Sequence, residues 1–183
     1  MPKQRVLSLL VTLGIAYSLK AHFSVASAHE LRWILFPLQT LVHWFTGVNF
    51  VFETEGYVST EKNFVIAPVC AGVNFLLIVF ASLSIGFVDR YIDTIKSLAW
   101  IVSSFAFAYV STVIVNAVRI SLSIQSISFG NTNDGLTHQL VGSAIYCMAL
   151  FGIFALSSKI HDHSRTATSK KRRLFEKSLA NAR

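Results

Sequence analysis

The stretch that decides the fold is VCAGVNFLLIVFASLSIGFV, residues 69–88, in which no side chain carries a charge. A helix of about twenty residues rises about 30 Å, the thickness of the hydrocarbon core of a bilayer. Residues 97–118 and 138–156 are two further apolar stretches of similar length. A shorter one, residues 6–19, can reach across if the Lys20 ammonium snorkels to the interface. The sequence therefore predicts an all-α integral membrane protein of about four transmembrane helices.

The composition excludes most other classes of protein. Of 183 residues, 53% are hydrophobic and only 14% are charged, and the mean hydropathy is +0.56. A disordered chain needs the opposite balance, and two cysteines are too few for a disulfide scaffold. A soluble globule would lack the polar residues to cover its surface. What remains is a protein of the lipid bilayer.

The net charge of +7 is concentrated at the C-terminus. Residues 159–183 hold eight basic and two acidic side chains, so this tail carries nearly all of the excess positive charge. One short terminal tract is explained more simply by a positive-inside membrane anchor than by nucleic-acid binding. We therefore expect residues 1–158 to form one transmembrane domain and residues 159–183 a basic cytoplasmic tail.

Charge also predicts the orientation in the membrane. The basic tail and the N-terminal Lys3 and Arg5 all favour the cytoplasmic side, and two cytoplasmic ends require an even number of crossings. Four spans meet this condition, with residues 47–68 and 119–137 outside.

The N-terminus also has the pattern of a signal peptide. Ala26-Ser27-Ala28 resembles a cleavage site after the first apolar run, so residues 1–28 are either retained as an anchor or removed. In both cases the chain from residue 31 emerges on the outer face.

Residues 31–45 predict a different kind of helix. Apolar residues recur at helical spacing on one side, whereas the opposite stripe contains Arg32, Phe36, Gln39 and His43. The apolar set is Leu31, Ile34, Leu35, Leu38, Leu41, Val42 and Phe45. The pattern favours an amphipathic helix in the outer interface, and the alternative is a fifth span.

Residues 47–67, which follow this helix, predict a small extracytoplasmic hairpin. Apolar residues alternate loosely on both sides of Glu55-Gly56, as they do in two short strands joined by a turn. The predicted hairpin precedes the first long span directly.

Three reactive side chains lie at the outer ends of three predicted spans. Cys70 follows Pro68 at the start of one span, where free helical N–H groups and the helix dipole favour a thiolate. Arg119 ends the next span, and His138 begins the last one, where the dipole keeps the imidazole neutral. A thiol, an imidazole and a fixed cation at one depth are the groups that acyl transfer needs. Cys147, deep in the last span, has neither aid and is expected to be inert.

Taken singly, these residues have ordinary interpretations. A cysteine at a helix end usually fills the core, an arginine there snorkels to lipid phosphates, and a histidine hydrogen-bonds at the surface. Asn116, one turn before Arg119, either orients the guanidinium or packs against a neighbouring helix. Gly142, one turn after His138, lets another helix approach closely.

Short motifs around these residues resemble those of a known family of membrane enzymes. Cys70-Ala71-Gly72, Asn116-x-x-Arg119-Ile120 and His138-x-x-x-Gly142 are similar in order and spacing to the motifs of exosortases and archaeosortases. The resemblance covers about residues 31–154, and among the members of the family the chain is most similar to the short form called exosortase K.

The resemblance implies a cysteine transpeptidase, or protease, on the outer face of the bacterial inner membrane, with no metal or other cofactor. Its substrates would be secreted proteins that end in a sorting signal: a short motif such as Pro-Glu-Pro, one span and a basic cluster. Cys70 would be the nucleophile, Arg119 would stabilise the oxyanion or thiolate, and His138 would be the general acid and base. Asn116, Gly72 and Gly142 would support them, and an outer-face amine or glycan would accept the acyl group.

Two other functions remain open. The chain could be a small membrane scaffold or assembly partner, with the three residues as interfacial anchors. It could also be a metal-dependent membrane hydrolase that uses several of its six histidines, but no pair has the His-Glu-x-x-His spacing of such enzymes. These histidines are His22, His29, His43, His138, His161 and His163.

Overall fold

A computed structural model of the chain describes residues 3–86, 94–128 and 142–159. The helices in these ranges are α1 (Lys3–Val25), α2 (Arg32–Thr46), α3 (Val73–Gly86), α4 (Thr94–Ser128) and α5 (Gly142–Lys159). Between α2 and α3 lie strands β1 (Val51–Glu53), β2 (Gly56–Ser59) and β3 (Phe64–Ile66), followed by a 3-10 turn at Pro68–Ala71. The predicted class, a largely helical chain with a small extended hairpin, is confirmed for the described residues.

Three helical segments are long and apolar enough to cross a membrane. They are Pro68–Gly86, Ser97–Gln125 and Gly142–Lys159, which agree with the three long stretches predicted from the sequence. α1 is helical over 23 residues and contains the apolar stretch Leu9–Val25, but it is not among these candidate spans. Three such helices indicate a membrane protein, and the fourth span stays a prediction.

α4 is longer than its sequence predicts. The predicted span, residues 97–118, gives way at Arg119 to a predicted outer loop, but α4 continues to Ser128. Its 35 residues rise about 52 Å, well beyond the thickness of a bilayer core. Ile120 and Ile124 explain the extension, because both are buried and lie one turn apart on the face that packs in the core. The prediction of a loop is wrong up to Ser128, and Arg119 lies within the helix.

α2 has the buried face that its sequence predicts. Ile34, Leu35, Leu38 and Val42 are buried, and α4 is the main neighbour of this helix. α2 ends where Gly47 adopts a left-handed conformation, with φ of 72°, and donates its N–H to the His43 carbonyl at 2.7 Å. The 15 residues rise about 22 Å, less than a span requires, so the structure favours the amphipathic helix over a fifth span.

The opposite face of α2 exposes Arg32, as predicted, together with several aromatic residues. Trp33, Phe36 and Trp44 are exposed along it, and Phe45, predicted for the buried face, is 51% exposed. The Trp33 ring stacks on Tyr109 of α4 with 5.4 Å between centroids, and Tyr109 Oη donates to the Trp33 carbonyl at 2.7 Å. Because Tyr109 lies inside Ser97–Gln125, the start of α2 contacts the candidate span of α4.

The predicted hairpin is part of a three-stranded antiparallel sheet. β2 lies in the middle, so that Phe52 of β1 faces Tyr57 and Tyr57 faces Ile66 of β3. Tyr57 and Ile66 are buried, and the Arg32 guanidinium of α2 lies 5.0 Å from the centre of the Phe52 ring. β3 leads directly into the Pro68–Ala71 turn, so the sheet sets the point at which the chain enters the first candidate span.

α3 and α4 pack as an antiparallel pair. Toward one end Trp100 Nε1 donates to the Leu83 carbonyl at 3.3 Å, and further along the Phe80 and Phe105 rings meet edge to face at 5.6 Å. The same register brings the start of α3 beside the second half of α4. α3 also packs against α1, where Lys20 donates to an exposed asparagine at the start of α3.

The chain divides into two compact units, Met1–Tyr146 and Cys147–Arg183. Within the second unit, residues 147–159 are described; they are helical, and Met148, Phe151 and Phe154 are exposed. Residues 160–183 of the predicted basic tail lie outside the described residues, so the predicted boundary at residue 158 stays a prediction.

We expect the exposed aromatic face of α2 to lie in lipid. The chain has three tryptophans, Trp33, Trp44 and Trp100, so replacing two at a time by Phe gives single-tryptophan proteins. In vesicles of lipids brominated on the acyl chains, the fluorescence of Trp44, which is 79% exposed, should be strongly quenched, because an exposed aromatic ring beside a spanning helix meets lipid. Aqueous acrylamide should quench it weakly.

The fluorescence of the protein that retains only Trp33 should be quenched strongly by the brominated lipids and weakly by acrylamide, as for Trp44. Trp100 serves as the control, because it is partly buried and hydrogen-bonded to Leu83 of α3. Strong quenching of Trp44 by acrylamide, with no effect of bromine, would contradict the prediction and put this face in water.

Candidate functional site

Cys70 lies in a tight turn between the sheet and α3. Pro68 begins the turn after the extended Ala67, and the Cys70 N–H donates to the Ala67 carbonyl at 2.8 Å. Gly72 then adopts a left-handed conformation, with φ of 70°, which ends the turn before α3 begins at Val73. The prediction that Cys70 lies in the first turn of the long helix is therefore wrong. The residue precedes that helix, and its own N–H is already bonded.

Asn116 of α4 holds this turn in place. Its side chain is fully buried, and Nδ2 donates to the Cys70 carbonyl. Oδ1 of the same amide accepts a hydrogen bond of 2.5 Å from the hydroxyl of Tyr146 on α5. A buried amide that has both a donor and an acceptor engaged fixes the positions of its partners, because either bond is costly to break.

Arg119 lies one turn further along α4, on the same side of the helix. Its Nη1 donates to the Tyr146 hydroxyl at 3.0 Å, and its guanidinium carbon lies 5.3 Å from the centre of the Tyr146 ring. The ring face attracts the cation, and the hydroxyl oxygen accepts one of its protons. The Cys70 thiol is free and half-buried, and it lies in the turn whose carbonyl accepts from Asn116, one turn before Arg119 on α4.

Tyr146 joins these residues, and the sequence analysis missed it. Its ring stacks on Phe75 of α3 with 5.0 Å between centroids, so this side chain of α5 contacts both α3 and α4. The sequence signal that could have found it is a spacing of four: Tyr146 follows Gly142 by four residues and His138 by eight, which is typical of one side of a predicted helix.

Two glycines make room for the polar side chains. A Cβ atom on Gly142 would lie 2.8 Å from Arg119 Nε, and a Cβ atom on Gly72 would lie 2.7 Å from Asn116 Nδ2. The close approach predicted at Gly142 is thus an approach to the Arg119 side chain. Gly72 has a second requirement, because its positive φ disfavours every residue with a side chain.

The structure brings together Cys70, Arg119, Asn116, Gly72 and Gly142, all within the first unit. His138, the predicted general acid and base, lies outside the described residues, and its place beside the other two stays a prediction. Cys147 belongs to the second unit, where its thiol is free and exposed. Within residues 3–86, 94–128 and 142–159, no three His, Cys, Asp or Glu side chains form a group suited to a metal ion.

No family model, curated protein or solved structure matches this chain. The function is therefore to be inferred from the motifs around Cys70, Arg119 and His138 and from the contacts of the first two.

We expect Gly142→Ala to lower the stability of the protein by displacing Arg119. Gly152 on the same helix is the matched control, because a Cβ atom there meets nothing within 4 Å. Both changes improve helix propensity by about 1 kcal/mol. Only Gly142→Ala forces the guanidinium away from Tyr146, so its thermal midpoint in detergent should fall below that of Gly152→Ala by about 2–4 °C or more. Equal thermal midpoints for the two variants would show that the close packing of Gly142 against Arg119 does not contribute to stability.

Proposed function

We propose that this protein is a membrane cysteine transpeptidase of the exosortase and archaeosortase type, which cleaves C-terminal sorting signals of secreted proteins. The observation that carries the proposal is the set of hydrogen bonds that runs from Arg119 through Tyr146 and Asn116 to the Cys70 carbonyl. Cys70 and Arg119 are far apart in sequence, yet these bonds hold them at one site. The hydrogen bonds end at the Cys70 backbone, and a fixed cation close to this turn would stabilise a thiolate nucleophile.

The first half of the proposed reaction forms a thioester. The Cys70 thiolate attacks the carbonyl carbon of the scissile peptide bond, and the new oxyanion lies beside the Arg119 guanidinium. The C–N bond then breaks, and His138 in its imidazolium form gives a proton to the departing amine. The substrate is left as an acyl group on the Cys70 sulfur, and the C-terminal sorting segment is released.

The second half transfers the acyl group and regenerates the enzyme. Neutral His138 takes a proton from an incoming amine or hydroxyl, which attacks the thioester carbonyl. The C–S bond breaks, the Cys70 thiolate leaves, and a new amide or ester forms. Water in place of the acceptor would give a carboxylic acid, which is the hydrolase outcome of the same site.

Arg119 suits the proposed role because its guanidinium is held in a fixed orientation. Nη1 is bonded to Tyr146, and Nε is buried where a Cβ atom on Gly142 would lie 2.8 Å away, with no acceptor within the described part of the chain. The planar fork offers several N–H groups in fixed directions, and a lysine ammonium cannot reproduce that geometry. A guanidinium fixed in this way would offer an oxyanion a donor of defined direction.

The proposed location is the outer face of a bacterial inner membrane. Four spans, with α1 as the first, would place both termini in the cytoplasm and the Cys70 turn outside. α2 and the three-stranded sheet would then cover the site on that face. The substrate would be a secreted protein with a short motif, one transmembrane segment and a basic cluster at its C-terminus.

We expect Cys70→Ala to abolish processing of such a substrate, because the nucleophile is lost. Cys147→Ala is the matched control, since Cys147 is exposed in the second unit, and processing should be nearly unchanged. Arg119→Lys should reduce the rate by about 10²–10³-fold, the usual effect of losing one oxyanion donor. The measurement is cleavage of the substrate tail in membranes that contain equal amounts of each variant.

Full cleavage by Cys70→Ala would eliminate the acyl-transfer mechanism. The protein would then be better described as a small membrane scaffold or assembly partner, in which Cys70 and Arg119 are interfacial anchors. Trapping of the tail-less substrate on Cys70 as a thioester that hydroxylamine cleaves would support the proposed mechanism directly.

A further inference from the structure

We infer that Tyr146 is a positioning residue, which holds the Arg119 guanidinium in register with the Cys70 turn through its hydroxyl group. The inference rests on the proposed function for its effect on acyl transfer. Its effect on the reactivity of the Cys70 thiol can be measured without any substrate.

Three hydrogen bonds form a continuous chain from the Arg119 guanidinium to the Cys70 carbonyl. Arg119 Nη1 donates to Tyr146 Oη at 3.0 Å, Tyr146 Oη donates to Asn116 Oδ1 at 2.5 Å, and Asn116 Nδ2 donates to the carbonyl of Cys70. The Tyr146 hydroxyl and the Asn116 amide each accept one hydrogen bond and donate another. Such chains polarise from link to link, and this one begins at a positive charge.

A hydroxyl group is the link that this chain needs. Arg119 can only donate, and Asn116 Oδ1 can only accept, so a group between them must do both. The Tyr146 hydroxyl does both, and its ring is stacked on that of Phe75 with 5.0 Å between the ring centroids. Because the stacked ring fixes the hydroxyl, the hydroxyl in turn fixes both the cation and the amide.

The Tyr146 ring and its hydroxyl make separable contributions. The ring contacts Phe75 and the Arg119 guanidinium, whose carbon lies 5.3 Å from the ring centre. Tyr146→Phe retains these two contacts and removes both hydrogen bonds. The variant therefore tests the hydroxyl link while the packing of the three helices is kept.

Loss of the Tyr146 hydroxyl should displace the Arg119 guanidinium, and this should affect catalysis more than substrate binding. Asn116 is fully buried, so its Oδ1 would lose its donor in a place that water does not reach, and the amide would be free to turn away from the Cys70 turn. A displacement of about 1 Å in a catalytic group can cost about 10²-fold in rate. The loss of rate should appear in kcat, because Tyr146 acts through Arg119 and not by contacting the substrate.

The experiment compares Tyr146→Phe with Tyr109→Phe in the full chain. Tyr109 is the matched control, because its hydroxyl also donates a hydrogen bond from one helix to another, in this case to the backbone carbonyl of Trp33 at 2.7 Å, and takes no part in the contacts of Cys70. Cys147→Ala is present in every protein, so that Cys70 is the remaining thiol. The first readout is the rate of alkylation of Cys70 by iodoacetamide at neutral pH, and the second is kcat and KM for tail cleavage.

We expect Tyr146→Phe to slow alkylation several-fold and to lower kcat by about 10²-fold with KM unchanged, whereas Tyr109→Phe changes neither readout. If Tyr146 acts through the cation, the same change made in the Arg119→Lys background should have little further effect. Alkylation and kcat equal to those of the Tyr109→Phe protein would overturn the inference, and so would a loss confined to KM. Failure of every variant, including the unchanged sequence, to cleave the tail would refute the proposed function, and the alkylation rates would still decide the role of Tyr146.

Discussion

The contacts of the buried Asn116 amide determine how the parts of this site are held together. One end of the amide bonds to the backbone of the Cys70 turn, and the other accepts the Tyr146 hydroxyl, so the turn, α4 and the start of α5 are tied to a single side chain. A buried polar group that loses its hydrogen-bond partner costs about 1–3 kcal/mol. Displacement of the Asn116 amide would break both of its hydrogen bonds. Gly72 must therefore remain glycine for two reasons: its backbone is left-handed, and the Asn116 amide occupies the space of its Cβ atom.

The charge of Arg119 is accommodated by the same group of residues. An arginine within a long apolar helix is costly in a membrane unless its head group finds polar or aromatic partners or reaches water. Here the partner is Tyr146, which supplies both a ring face and a hydroxyl oxygen. Gly142 supplies the space, because it has no side chain where Nε lies. These contacts hold the Arg119 guanidinium in a defined place and link it through Tyr146 and Asn116 to the Cys70 turn.

The predicted fold and the structure differ where one helix packs against another. α2 was expected to turn Arg32, Phe36, Gln39 and His43 away from the core, and its apolar side is indeed buried. Trp33, which stacks on Tyr109, and Trp44 are exposed as well, and Phe45 is exposed instead of buried. In the same way, residues 119–137 are predicted to form an outer loop, but Ile120 and Ile124 are buried and α4 stays helical to Ser128.

The sequence by itself determined the three candidate spans, the buried side of α2 and a hairpin before Cys70. Spans depend on local composition, because the length of an apolar run decides whether it can cross a bilayer. Only the tertiary structure decided that Cys70 lies in a separate 3-10 turn, that α4 extends to Ser128 and that Tyr146 joins Arg119 to Asn116. These features depend on the rotation of each helix about its axis and on contacts between residues distant in sequence, and neither is recorded in the pattern of any one segment.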